Sequence, residues 1–259
     1  MSNKPIGVFD SGVGGTSIWK EIHLLLPNEH SIYLADSINA PYGTKDTERI
    51  TELSIKNTEL LLEKDCKLIV VACNTATTNT IDYLRKTYNV PFIGIEPAIK
   101  PAALNTKTNA VGILATKGTL SSALFSKTSG RFASHIKVIE LEGKGIVELI
   151  ENGKLYSDEM KALLSQYLAP MIEADIDYLV LGCTHYPYLV PILLDLLPKH
   201  VKIIDSGAAV ARQTRAVLVE HNLLNTEIIN PKLEFYTNGS VDVMCSLLGE
   251  NFNVKYLKF

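Results

Sequence analysis

Eight short runs along the chain are apolar almost without interruption: Ile6–Phe9, Ser31–Ala35, Leu68–Ala72, Pro91–Ile95, Ala110–Leu114, Ile136–Glu140, Tyr178–Leu181 and Val201–Ile204. They do not show the apolar/polar alternation of a strand with one wet face. Runs of this kind suit strands covered on both sides, as in parallel sheets flanked by helices. Between them lie longer segments of helical period: Thr16–Leu26, Thr47–Glu63, Thr77–Lys86, Asp158–Met171, Tyr188–Leu197 and Ala208–Glu220. Two helix starts are well marked, by Asp46-Thr47-Glu48 and by Ser157-Asp158-Glu159. The pattern predicts an α/β protein with doubly wound, flavodoxin-like parallel sheets.

The pattern also repeats once. "IGVFDSGVGGTS" from Ile6 resembles "VGILATKGTLSS" from Val111, and "LIVVACNTATTN" from Leu68 resembles "YLVLGCTHYPYL" from Tyr178. "VPFIGIEPAI" from Val90 resembles "VKIIDSGAAV" from Val201, and the three pairs fall in the same order. Two similar lobes facing each other across a cleft are expected. Residues 98–206 form the second, and residues 1–97 with 207–259 form the first. No low-complexity tract separates them, so they should pack directly on each other.

Composition narrows the function. The chain has 259 residues, 46% of them hydrophobic and 20% charged, enough apolar content for a substantial core. A net charge of −3 with no basic stripe argues against a nucleic-acid partner. The apolar runs are too short to span a membrane, and the N-terminus carries no cleavable leader pattern, so a cytoplasmic location is expected. The four cysteines are Cys66, Cys73, Cys183 and Cys245, too few for a disulfide scaffold at this length.

The chemistry gathers where the predicted strands end, the place where open parallel sheets bind ligands. Asp10 and Ser11 follow the first strand, and Pro41-Tyr42-Gly43 lies beyond the second. Cys73-Asn74-Thr75 and Cys183-Thr184-His185 close two more, in matched positions of the repeat. A helix starting after each cysteine would aim N–H groups at the crevice, suiting a carboxylate and lowering the thiol's pKa. Two thiols on opposite walls of one cleft, with Asp10 near one and His185 near the other, suit removal of a proton from one face of a carbon and its return on the other. Cys66 and Cys245 lack such neighbours and read as small buried hydrophobes.

The motifs "GVFDSGVGG", "APYG", "ACNTA" and "GCTHYP", spread from Ile6 to about Arg215, resemble those of the bacterial glutamate racemases within the aspartate/glutamate racemase superfamily. The resemblance implies interconversion of L- and D-glutamate without a cofactor or metal, supply of D-glutamate for peptidoglycan, and a homodimer. It implies that Cys73 deprotonates D-glutamate and Cys183 L-glutamate, assisted by Asp10 and His185. It assigns substrate contacts to Asp10, Ser11, Pro41, Tyr42, Gly43, Asn74, Thr75, Thr116, Thr119, Thr184 and His185. The stretch "LEGKGIVELIENGK" departs from the family pattern by lacking its Cys-Pro, and Glu151 is matched to the auxiliary glutamate.

Other readings stay open at this level. An aspartate racemase of the same superfamily fits the same motifs. A non-catalytic two-lobe binding protein would need no thiols in the cleft, and a cysteine hydrolase would use only one. Zinc held by Cys73, Cys183 and His185 would lack a fourth ligand and the usual spacing. The glycine loop, with Asp36 after the next strand, imitates a dinucleotide site, but the third glycine position is Ser17. Gly12, Gly14 and Gly15 are better read as a tight turn that lets the backbone approach the substrate.

Overall fold

The apolar runs form strands, and every strand pairing is parallel. The structure is a computed structural model that describes residues 3–228, 230–249 and 251–259. Its strands are β1 (Ile6–Asp10), β2 (Ser31–Ala35), β3 (Leu68–Val71), β4 (Phe92–Gly94), β5 (Ala110–Ala115), β6 (Lys137–Glu142), β7 (Tyr178–Gly182), β8 (Lys202–Ile204), β9 (Leu233–Thr237) and β10 (Val254–Tyr256). One sheet has the order β10-β9-β2-β1-β3-β4 and the other β6-β5-β7-β8. The run β2-β1-β3-β4 is matched strand for strand by β6-β5-β7-β8, as the sequence repeat predicts.

That order fixes where a ligand can sit. In each sheet the first strand in sequence lies between the second and third, so connections leave it in opposite directions. A crevice opens at the carboxyl ends of β1 and β3, and another at those of β5 and β7. The sequence places Asp10, Cys73, Thr116 and Cys183 at these four ends.

Two-sided burial explains the continuous apolar runs. Every residue of β1, β2, β3, β5 and β7 is buried. Ile6, Val8 and Val70 join an apolar cluster that also holds Leu114, Leu181 and Leu193 from the other lobe. Phe9, Ile69 and Val71 face a second cluster, and Val111, Ile113 and Val180 a third. The two sheets therefore share a continuous core between them. The Thr16–Leu25 helix buries Trp19 against Phe235 and Phe252, with ring centroids 4.6 and 5.2 Å away, which ties the C-terminal segment to the helix that follows Asp10.

Several elements differ from expectation. The helix expected from Thr77 spans Asn74–Thr87, because Cys73 caps it and the polar residues of its first turn line the crevice. The helix expected at Tyr188–Leu197 is a 3-10 turn, Tyr186–Leu189, followed by a helix at Val190–Leu196. Pro187 and Pro191 have no N–H to give and break the regular pattern. Strands β9 and β10 were not expected: their partly exposed positions carry Glu234, Lys255 and Tyr256, which hides the apolar signature. The Ile99–Asn105, Ala123–Phe132, Ile146–Glu151 and Val241–Leu248 helices were also absent from the sequence reading.

Candidate active site

The strand ends converge on a partly open cavity of about 250 Å³. The first sheet's side supplies Ser11, Pro41, Tyr42, Gly43, Cys73, Asn74 and Thr75, and the second supplies Thr116, Val147, Cys183, Thr184 and His185. Both thiols thus face one cavity from the ends of corresponding strands. A second cavity of about 300 Å³ shares Pro41, Gly43, Thr116 and Val147 with the first and adds Lys117, Glu142, Lys144 and Glu148, forming its approach.

Cys73 is the N-cap of the Asn74–Thr87 helix, and its sulfur accepts the Ala76 N–H at 3.4 Å. Its thiol lies 3.6 Å from Ser11 Oγ. The cap was expected to favour thiolate. Instead burial, reinforced by the charge of Asp10, pushes the thiol well above the ordinary cysteine range, and the Ala76 and Ser11 bonds recover only part of this. In the free site Cys73 rests as a thiol.

Asp10 is fully buried. Its Oδ2 accepts the N–H groups of Gly12 (3.2 Å) and Gly15 (2.9 Å), and its Oδ1 accepts Thr184 Oγ1 from the other lobe at 3.2 Å. Burial raises its pKa to about 6, with nearby His185 and the Gly15 N–H opposing the rise. Asp10 therefore changes protonation close to neutral pH, as a proton relay requires.

From the second sheet's side, Cys183 Sγ lies 3.7 Å from His185 Nδ1, and His185 Nε2 lies 2.6 Å from Glu151 Oε1. That short contact places a proton on Nε2 and turns Nδ1 toward the thiol. The Gly14 nitrogen, 3.2 Å from Nε2, is then a close approach rather than a bond. Burial works against charge on His185, but its bonds to Cys183 and Glu151 outweigh this and hold its pKa well above the ordinary histidine value. Glu151, the last residue of the Ile146–Glu151 helix, also accepts the Val13 N–H at 2.7 Å.

The cleft is closed by polar contacts between the lobes. Thr75 Oγ1 lies 2.8 Å from Thr116 Oγ1 and 3.4 Å from Thr119 Oγ1, and the latter two are 3.0 Å apart. Asn74 differs from these: it is 3% exposed, and neither its amide oxygen nor its amide nitrogen has a hydrogen-bond partner in the protein. An orphaned buried amide is costly unless a ligand satisfies it.

The glycine loop is also crowded by side chains of the other lobe. A side-chain carbon on Gly12 would collide with the Glu151 carboxylate, and one on Gly14 with the His185 ring. Neither residue has a positive φ. The glycines make room for the other lobe's side chains.

Every site residue expected from sequence lies at this cavity or directly behind it. Asp10, Thr119 and Glu151 are in the supporting layer, bonded to Thr184, to Thr75 and Thr116, and to His185 respectively. Sequence reasoning missed Val147, which looks like any apolar position of a short amphipathic helix. It also missed the work of Asp36, whose carboxylate accepts Tyr42 Oη (2.6 Å), Asn39 Nδ2 (2.8 Å) and Asn238 Nδ2 (2.6 Å) and so steadies the Pro41–Gly43 wall. Among the described residues, no three His, Cys, Asp or Glu side chains gather as a metal site would require.

The family described as Asp/Glu/hydantoin racemase matches residues 6–214. A glutamate racemase of Ectopseudomonas mendocina is 46% identical over 259 residues, covering 98% of each chain. The crystal structure of Escherichia coli glutamate racemase, in complex with L-glutamate and the activator UDP-MurNAc-ala, superposes with a TM-score of 0.84 at 35% identity, covering 98% of this chain and 97% of that one. The Francisella tularensis glutamate racemase in complex with D-glutamate gives 0.84 at 30% identity, covering 100% and 98%.

Proposed function

The chain belongs to the Asp/Glu/hydantoin racemase family, and on that premise we propose that it interconverts L- and D-glutamate by passing the Cα proton between Cys73 and Cys183. The observation that carries this reading is the pair of thiols facing one small cavity from corresponding strand ends, each with its own proton-handling neighbour.

In each turnover one sulfur enters as thiolate and takes the Cα proton, and the other enters as thiol and returns a proton to the opposite face. Cys73 serves D-glutamate and Cys183 serves L-glutamate. Asp10 lies close enough to influence Cys73 and ionises near pH 6, so it can hold the proton that Cys73 must lose. His185, kept basic by Glu151, does the same for Cys183. General acid–base assistance supplies about 10²–10⁴-fold, so the rest must come from stabilising charge at the α-carboxylate. Donors for that task are Ser11, Asn74 and Thr75, while the Thr184 hydroxyl is committed to Asp10.

The decisive experiment follows deuterium from D₂O into Cα of each glutamate enantiomer, with purified protein and no added cofactor. Exchange with loss of optical rotation is expected for glutamate and not for aspartate. Tight binding without exchange would mean a binding protein, and product release without exchange would mean a hydrolase.

The wider reading is a homodimeric cytoplasmic enzyme that supplies D-glutamate for peptidoglycan. Among the described residues no helix is long and apolar enough to cross a membrane. We take the lobes to divide at 97/98 and 206/207, where Ser206 Oγ bonds the Glu96 carbonyl and joins the two crossing segments.

A further inference from the structure

The turn that carries Cys183 and His185 is fastened to the other lobe by hydroxyls that do not line the cavity. Tyr188, three residues beyond His185, places its Oη 2.6 Å from Thr16 Oγ1. Thr16 Oγ1 lies 2.5 Å from the Val13 carbonyl, which can only accept. Thr16 has a single hydroxyl proton and gives it to that carbonyl, so Tyr188 is the donor of the cross-lobe bond. Burial pushes Tyr188 up to about 12, which keeps it a donor at neutral pH. Next door, Ser17 Oγ donates to the Thr184 carbonyl at 2.8 Å.

The same peptide completes a loop. Val13 accepts from Thr16 through its carbonyl, and its N–H donates to Glu151 Oε1, the oxygen that holds His185 Nε2. The path leaves the second lobe at Tyr188, crosses Thr16 and Val13, and returns through Glu151 to His185. Cys73 is held differently, by Ala76 and Ser11 of its own lobe.

We propose that Thr16, Ser17 and Tyr188 are positioning residues for the Cys183–His185 base in the first place, with the link toward Cys73 running from Thr184 to Asp10, an inference that rests on the two-thiol reading above. Their effect is weighted to one side, and kinetics can expose it. The two glutamate enantiomers have equal free energy, so any variant lowers kcat/KM equally in both directions. Primary isotope effects are not so bound. Slowing transfer at one sulfur makes that transfer more rate-limiting. The deuterium effect then rises for the enantiomer whose proton that sulfur removes and falls for the other.

The test measures kcat/KM for L- and D-glutamate with hydrogen or deuterium at Cα. The variants are Tyr188→Phe, Ser17→Ala, Thr16→Val and Thr16→Ser, with His185→Asn and Asp10→Asn marking the two directions of skew. Loss of each hydroxyl is expected to cost about tenfold in kcat/KM. The isotope effects should skew in the His185→Asn direction, and Thr16→Ser should restore both quantities. Ser17→Ala carries the test should Tyr188→Phe fail to fold. Racemisation with isotope effects that stay symmetric, or skew as in Asp10→Asn, overturns the inference alone. If the unaltered protein does not racemise glutamate, the functional reading falls and this inference with it.

Discussion

Thr184 of the second lobe donates its hydroxyl to the Asp10 carboxylate of the first, at 3.2 Å, in a fully buried setting. The bond joins the residue beside Cys183 to the buried acid whose charge reaches Cys73.

Asp10 should therefore be costly to stability and needed for rate. Its pKa is raised from 3.8 to about 6, so the ionised form is the disfavoured one in the folded protein. That penalty is absent below about pH 4, grows as pH climbs to about 6, and is constant above, on the order of 3 kcal/mol at most. Asp10→Asn should be more stable than the parent at pH 8, with the advantage vanishing by pH 4, while racemisation falls at least tenfold. Denaturant melts across pH, beside initial rates, check both halves.

Asn74→Leu should separate stability from binding in the same way. Removing two unpartnered buried polar atoms is expected to stabilise the ligand-free protein by about 1–3 kcal/mol. The same change should raise KM for glutamate at least tenfold and abolish the upward shift in Tm that glutamate causes. Calorimetry with and without glutamate decides it.

Glu151→Gln keeps the shape of the His185 contact and removes its charge. The imidazole should then lose its proton at lower pH, seen as a lower titration midpoint for His185 in heteronuclear NMR. Because His185 is raised above 6.5 in the fold, its protonation adds stability that is complete below about pH 6.5 and lost as pH rises through the raised value. In the variant that loss should finish at lower pH, with a rate reduction of roughly tenfold.

Cys73→Ala should abolish racemisation, by about 10³-fold or more, while glutamate binding stays measurable by calorimetry. In the proposed reaction the sulfur acts on hydrogen, whereas Asn74 and Thr75 are left to hold carboxylates. Equal losses in rate and binding would contradict this division.

The fold was readable where burial is two-sided. Runs such as "LIVV" and "YLVLG" have no polar position to mislead, and the repeat announced two similar lobes, while the strand order within each sheet came only from the structure. It was unreadable at β9 and β10, where part of each strand meets water and carries charge. The site was readable at residues that touch the cavity through unusual chemistry, such as Cys73, Asn74 and His185. It was not readable where an ordinary side chain acquires its role from across the cleft. Val147, Ser17 and Tyr188 have no local signature, because the lobe each one meets is more than a hundred residues away in sequence or is defined only by closure. The thiol of Cys73 shows the reverse failure: the helix N-terminus was visible in sequence, but the burial that outweighs it was not.

The strand β9 runs along the whole of β2, from Ser31 beside Leu233 to Ala35 beside Thr237. The family match ends at residue 214, well before it. A chain cut just after that point would bare the flank of β2, an apolar ribbon with unspent amide and carbonyl groups that invites other chains to stack on it. The C-terminal tail is in this sense a guard against strands of other chains stacking on that edge.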